Sequence, residues 1–156
     1  MTTHDARSFG TALRHLIDQL DGAVEQAYRD DGLDFRPRFT PIVRALVADG
    51  PQTIRTLAAT LGVSHSAVSQ TISQMAARGL VTVKPGRDAR QRIVALSAAG
   101  EALLPRLHRH WAATTAATAA LDAASGGALI AAINRANATL EARPFAAWLK
   151  DARSAD

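Results

Sequence analysis

The chain has 156 residues, of which 47% are apolar and only 4% aromatic, with a net charge of +4 and no cysteine. That length suits one domain, or a compact module plus an oligomerisation element. The missing thiol excludes disulfides, thiolate zinc sites and thiol-based redox sensing.

The charge is unevenly spread. Residues 1–35 carry −4, residues 36–109 carry +8 and residues 110–156 are neutral. A polyanionic partner explains a basic centre of this kind better than solubility does. Alanine-rich helices pack closely but bury little area each, so a partner subunit is expected to complete the core. His4, Asp5 and Arg7 precede an amphipathic stretch rather than a signal-like apolar run, and the run from Ala112 to Ile133 is broken by Asp122 and Gly126-Gly127. Neither has the character of a membrane segment, and a cytoplasmic location is expected.

In chain order, Leu13, Leu16, Ile17, Leu20, Val24 and Tyr28 recur at helical spacing and predict a first helix from about Ser8 to about Asp30. A link containing Phe35, Pro37, Phe39 and Pro41 follows. A second helix, Pro41 to about Ala48, presents Ile42, Val43, Leu46 and Val47 and stops at Asp49-Gly50-Pro51. Thr53 is placed to cap a third helix, Ile54 to Leu61, whose inward face is Ile54, Leu57, Ala58 and Leu61. Gly62 supplies the tight backbone for a sharp turn, and Ser64 caps a fourth helix ending at Arg78-Gly79-Leu80. Two short strands, 81–83 and 93–96, flank a loop with Pro85-Gly86. Ser97 caps a long fifth helix in which Leu104, Leu107 and Trp111 share a face and Pro105 is a candidate kink. Gly126-Gly127 ends it. A last helix spans about Ala128 to Ala142, with Pro144 interrupting the chain before Phe145 and Trp148.

The fourth helix has two faces. Val68, Ile72 and Met75 lie on one, and Ser66, Ser69, Gln70 and Ser73 on the other. No acidic residue occurs between Gly50 and Arg87. Serine is a poor filler for a merely solvated helix surface, because its hydroxyl competes with the helix for backbone groups. A short, polar, acid-free face fits the major groove of double-stranded DNA, where a glutamine such as Gln70 can bridge adenine N6 and N7. Ser64, His65 and Ser66 at the helix start offer a phosphate site. The hairpin adds Lys84, Arg87, Arg90 and Arg92, suited to a narrow and strongly negative minor groove. Its one acid, Asp88, is better placed to orient Arg90 or Arg92 than to approach phosphate.

The stretch Thr53–Leu80, the Asp88-Ala89-Arg90 wing tip and Ile93-Val94-Ala95-Leu96-Ser97-Ala98-Ala99-Gly100 together resemble the MarR family of winged-helix transcription regulators. The resemblance implies a mainly α fold: a winged helix-turn-helix with a small β-hairpin wing, flanked by N- and C-terminal dimerisation helices. It implies three regions, namely a dimerisation helix in 1–35, the DNA-binding module in 36–99 and C-terminal dimerisation helices in 100–156. It further implies a homodimer gripping a palindromic operator, most simply as a repressor, with Arg90 in the minor groove supported by Asp88. Its recognition positions fall on Ser64, Ser66, Ser69 and Gln70. Members often carry arginine where Gln70 stands and proline where His65 stands. The family's use of small aromatic effectors points to Tyr28, Phe35, Arg36, Arg38, Phe39 and Trp111 as candidate pocket residues.

No cofactor, metal or catalytic site is expected. His108 and His110 point about 200° apart on a helix and cannot share a metal. No Ser/His/Asp set has convergent context, and no glycine-rich loop follows a strand. The competing reading is a winged-helix interaction module without operator binding, for which an apolar patch would be expected in place of the basic hairpin.

Overall fold

The computed structural model describes residues 8–86, 88 and 91–154. Its elements are α1 (Phe9–Asp30), α2 (Thr40–Asp49), β1 (Gln52–Thr53), α3 (Ile54–Leu61), α4 (His65–Ala77), β2 (Val81–Pro85), β3 (Arg92–Leu96), α5 (Ala98–Ala124), α6 (Leu129–Ala142) and α7 (Phe145–Ser154). A single 3-10 turn, Pro37–Phe39, sits in the link before α2. The chain forms two compact units, Met1–His110 and Trp111–Asp156. The fold is mainly α with one small antiparallel sheet, as the sequence implies.

Helices α1, α3 and α4 each begin on a capping hydroxyl, as expected for Thr53 and Ser64, whereas α2 follows Phe39 with no side-chain cap. Ser8 accepts from the Thr11 N–H, Thr53 from Thr56 at 3.0 Å and Ser64 from Ala67 at 3.2 Å, each pairing a donor the helix leaves open. Gly62 adopts φ +65 after α3 and Gly79 φ +70 after α4, left-handed conformations that cost a side-chain-bearing residue. With one residue between that turn and the next cap, α3 and α4 meet sharply.

The sheet order is β1-β3-β2, all antiparallel. Both wing strands are longer than the pattern predicts, reaching Pro85 opposite Arg92. The two-residue β1 is a further departure: Gln52 pairs with Val94 and Thr53 with Ile93. Two residues carry no alternation, so only the partner strand reveals them. α7 is likewise a helix in its own right beyond Pro144, and α5 continues through Pro105.

The module's core gathers Ile42, Val43 and Leu46 of α2, Ile54 and Leu57 of α3, Val68, Ile72 and Met75 of α4, and Leu80, Val81 and Val94 around the sheet, all buried. Each such side chain contributes about 1.5–3 kcal/mol of burial. Val47 departs from expectation and is exposed, because α2 turns Ile42, Val43, Ala45 and Leu46 inward. In α1 the apolar stripe also divides: Tyr28 is buried, whereas Phe9, Leu13, Ile17 and Leu20 are exposed. In the second unit Ile130, Ile133, Leu140, Phe145, Trp148 and Leu149 are exposed as well.

Candidate nucleic-acid interface

α4 presents the polar face that its sequence encodes. Ser66, Gln70 and Ser73 are exposed and Ser69 is half-buried, while Val68, Ile72 and Met75 face the core. His65, Ser66, Ala67, Ser69, Gln70 and Ser73 line a shallow, open depression of about 600 Å³. The hydroxyls are partly engaged within the helix. Ser64 and Ser66 share a hydrogen bond of 3.2 Å, and Ser73 donates to the Ser69 carbonyl at 2.9 Å. Ser73 therefore faces outward as an acceptor. The Gln70 carboxamide, with both a donor and an acceptor at its tip, has no hydrogen-bond partner among the described residues.

The wing stem places Lys84 on β2 and Arg92 on β3, both exposed. Gly86 donates to the Gln91 carbonyl and Gln91 to the Asp88 carbonyl, each at 2.8 Å, which turns the chain between the strands. Asp88 is exposed. Arg87 and Arg90 lie outside the described residues, and with them the expected support of Arg90 by Asp88.

The residues proposed for an aromatic pocket separate. Tyr28, Phe35 and Phe39 are buried and pack edge to face, with centroids 5.3 Å apart for Tyr28–Phe35 and 5.5 Å for Phe35–Phe39. Such perpendicular pairs place a ring's positive edge on its neighbour's negative face. Arg36 and Phe35 instead help to line a shallow cleft of about 600 Å³ with Glu25, Arg29, Gly32, Leu33 and Asp34. Arg36 lies 3.8 Å from Glu25 there. Arg38 turns to α4, donating to the Gln74 side chain. Trp111 is buried and begins the second unit.

Residues with no signal in the sequence pattern join this neighbourhood. Arg78 donates to Asp34 at 3.1 Å and to the Gln74 carbonyl at 3.1 Å, and its guanidinium lies 5.6 Å from the Phe39 ring centroid. Nothing in the spacing links positions 44 residues apart.

Elsewhere, His110 pairs with Asp31 at 2.8 Å and its ring packs at a steep angle on Tyr28, with centroids 4.9 Å apart. On α1 the Asp21 carboxyl is held above its ordinary range, first by burial and then by repulsion from Asp18 and Glu25. A raised folded value favours the protonated form, so this group's stabilisation is present at acid pH and fades as pH rises through it. Among the described residues no group of three His, Asp or Glu side chains is arranged to hold a metal ion. Among them, too, no single helix is long and apolar enough to cross a membrane.

A capped helix pair with a sharp glycine turn, followed by a hairpin antiparallel to a short third strand, is a winged helix-turn-helix, a DNA-binding class of fold. Residues 40–91 match the family model described as the MarR family. Over this module the chain is similar to the MarR family, whose regulators are non-enzymatic DNA-binding proteins. The fold resembles that of the M. tuberculosis transcriptional regulator MOSR, solved in complex with DNA, at TM-score 0.70 and 24% identity, covering 88% of this chain and 99% of that one. Bordetella bronchiseptica BpsR, whose DNA binding is regulated by 6-hydroxynicotinic acid, matches at TM-score 0.68 and 20% identity over 88% and 98%. The PcaV transcriptional regulator of Streptomyces coelicolor, solved with its natural ligand, matches at 0.63 and 23% over 86% and 97%. A comparison with curated proteins finds no sequence match.

Proposed function

We propose that the chain is a sequence-specific double-stranded DNA-binding transcriptional regulator, acting in the cytoplasm as a homodimeric repressor on a palindromic operator. The observation that carries this reading is the exposed, acid-free polar face of α4 in a MarR-family module. Gln70 and the neighbouring serines meet base edges in the major groove, and the α4 N-terminus with His65 meets phosphate. Lys84, Arg87, Arg90 and Arg92 of the wing take the adjacent backbone and minor groove, and Asp88 orients the wing arginines.

Homodimerisation is supported by the uncovered apolar stripe of α1 and the exposed apolar residues of α6 and α7. A lone chain gains nothing by leaving so many large apolar side chains in water. Residues 1–35 and 100–156 then supply the dimer helices, and residues 36–99 the DNA-binding module. A dimer that covers its operator blocks other proteins from the same duplex, which is repression in its simplest form. A small aromatic effector is supported by BpsR, whose DNA binding 6-hydroxynicotinic acid regulates, by PcaV, solved with its natural ligand, and by the cleft beside Phe35 and Arg36.

Selection of bound duplexes from a random pool tests this reading. An enriched inverted repeat with half-sites about one helical turn apart is expected. Enrichment of a single half-site contradicts the homodimer, and no enrichment at all leaves the protein-interaction reading in its place.

A further inference from the structure

We infer that Arg78 is a positioning residue for operator recognition: it clamps the C-terminal end of α4 to the link between α1 and α2, and so sets the tilt of the reading helix. The inference rests on the DNA-binding reading above. The link is itself firmly held, since Leu33, Phe35 and Phe39 are buried and the Leu33 N–H donates to the Tyr28 carbonyl at 2.8 Å. From this anchored segment two tethers reach α4. Asp34 holds the Arg78 Nε at 3.1 Å, and Arg38 donates to the side chain of Gln74. Both guanidinium groups lie against one ring, Phe39, at 5.6 Å for Arg78 and 5.8 Å for Arg38.

A helix C-terminal arginine that merely caps its own carbonyls needs no distant partner. Arg78 does bond its own Gln74 carbonyl, but its other hydrogen bond leaves the helix for a carboxylate 44 residues away. An exposed ion pair by itself contributes little. Here the Asp34 side chain is 78% exposed, but that of Arg78 is only 23% exposed and has three partners at once, so the guanidinium is held by its Gln74 and Phe39 contacts as well as by the ion pair. The mechanical consequence follows from length. α4 has 13 residues, and over a rod of about 20 Å a rotation of about 5° at one end moves the other by roughly 1.7 Å. Such a shift breaks paired hydrogen bonds to a base edge, whose geometry tolerates only a few tenths of an ångström. The same link borders the Phe35–Arg36 cleft, with Asp34 lining it.

The test uses the full chain with Asp34→Asn, Arg78→Ala and Arg78→Lys, on the selected operator and on a scrambled duplex of equal length. Amide hydrogen exchange of residues 74–80 is followed without DNA. Asp34→Asn makes the protein more positive, yet the clamp predicts operator binding weakened about fivefold or more with the scrambled duplex little affected. Arg78→Ala is expected to weaken the operator by at least as much, Arg78→Lys to restore part of it, and all three to speed exchange in 74–80. Tighter binding of Asp34→Asn to both duplexes overturns the inference, because the carboxylate then acts only as a repelling charge. Equal losses on both duplexes for Arg78→Ala with unchanged exchange also overturn it, marking Arg78 as a phosphate contact. Should the unaltered protein bind no duplex, the regulator reading fails, while unchanged exchange in the variants overturns the clamp separately.

Discussion

Replacing Gly100 by alanine is expected to lower the unfolding free energy by about 3 kcal/mol. On helix propensity alone the sign is the opposite, since alanine exceeds glycine by about 1 kcal/mol inside a helix. The environment reverses it. A Cβ at Gly100 would lie 2.2 Å from the Leu80 carbonyl oxygen and 3.1 Å from its carbon. These are backbone atoms, and they are pinned. The Leu80 oxygen accepts from the Ser97 N–H at 3.0 Å, and the Leu80 N–H donates to Met75 at 3.0 Å. Ser97 in turn donates to the Gly79 carbonyl and accepts from the Gly100 N–H. Relief of the clash must break part of the joint between the end of α4, the start of β2 and the start of α5. Urea unfolding followed by circular dichroism measures the loss. A variant as stable as the parent would contradict the close approach.

Phe39→Ala is expected to cost about 3–5 kcal/mol, the usual range for removing a fully buried ring. Phe39 is 0% exposed. Its ring packs perpendicular to Phe35 and lies beneath the guanidinium groups of Arg38 and Arg78, so its loss also removes the platform for the clamp on α4. Leucine refills part of the volume without the π face and is expected to recover more than half of the stability. Operator affinity should recover less than stability does, because neither cation–π contact returns. The same unfolding experiment checks the first expectation. A loss below about 1 kcal/mol for alanine would mean that the link repacks freely.

These two positions mark what a linear reading captures. Gly100 stands out in the sequence only as part of the Leu-Ser-x-x-Gly pattern, and the physical reason for it appears when Leu80 is found against it. The helix pair was legible almost to the residue, because Thr53, Gly62, Ser64 and Gly79 act locally and each leaves its own mark. β1 was not, since two residues have no period and exist as a strand only through Ile93 and Val94. The polar and apolar faces of α4 followed from spacing. The place of Tyr28 and the aromatic residues of the link did not, because composition does not say whether rings line a space or fill it, and Tyr28 packs on Phe35 and Phe35 on Phe39. The pairing of Arg78 with Asp34 is a product of tertiary structure alone. Arg38, grouped by sequence with a pocket, reaches Gln74 instead.

The central claim is that the outward face of α4 reads bases. The most direct test compares Gln70→Ala with the parent on the selected operator and on random duplex at one salt concentration. The account predicts a loss of about 1–3 kcal/mol on the operator and little change on random DNA. Equal losses on the two would contradict it, assigning Gln70 to the backbone and leaving sequence recognition to other residues.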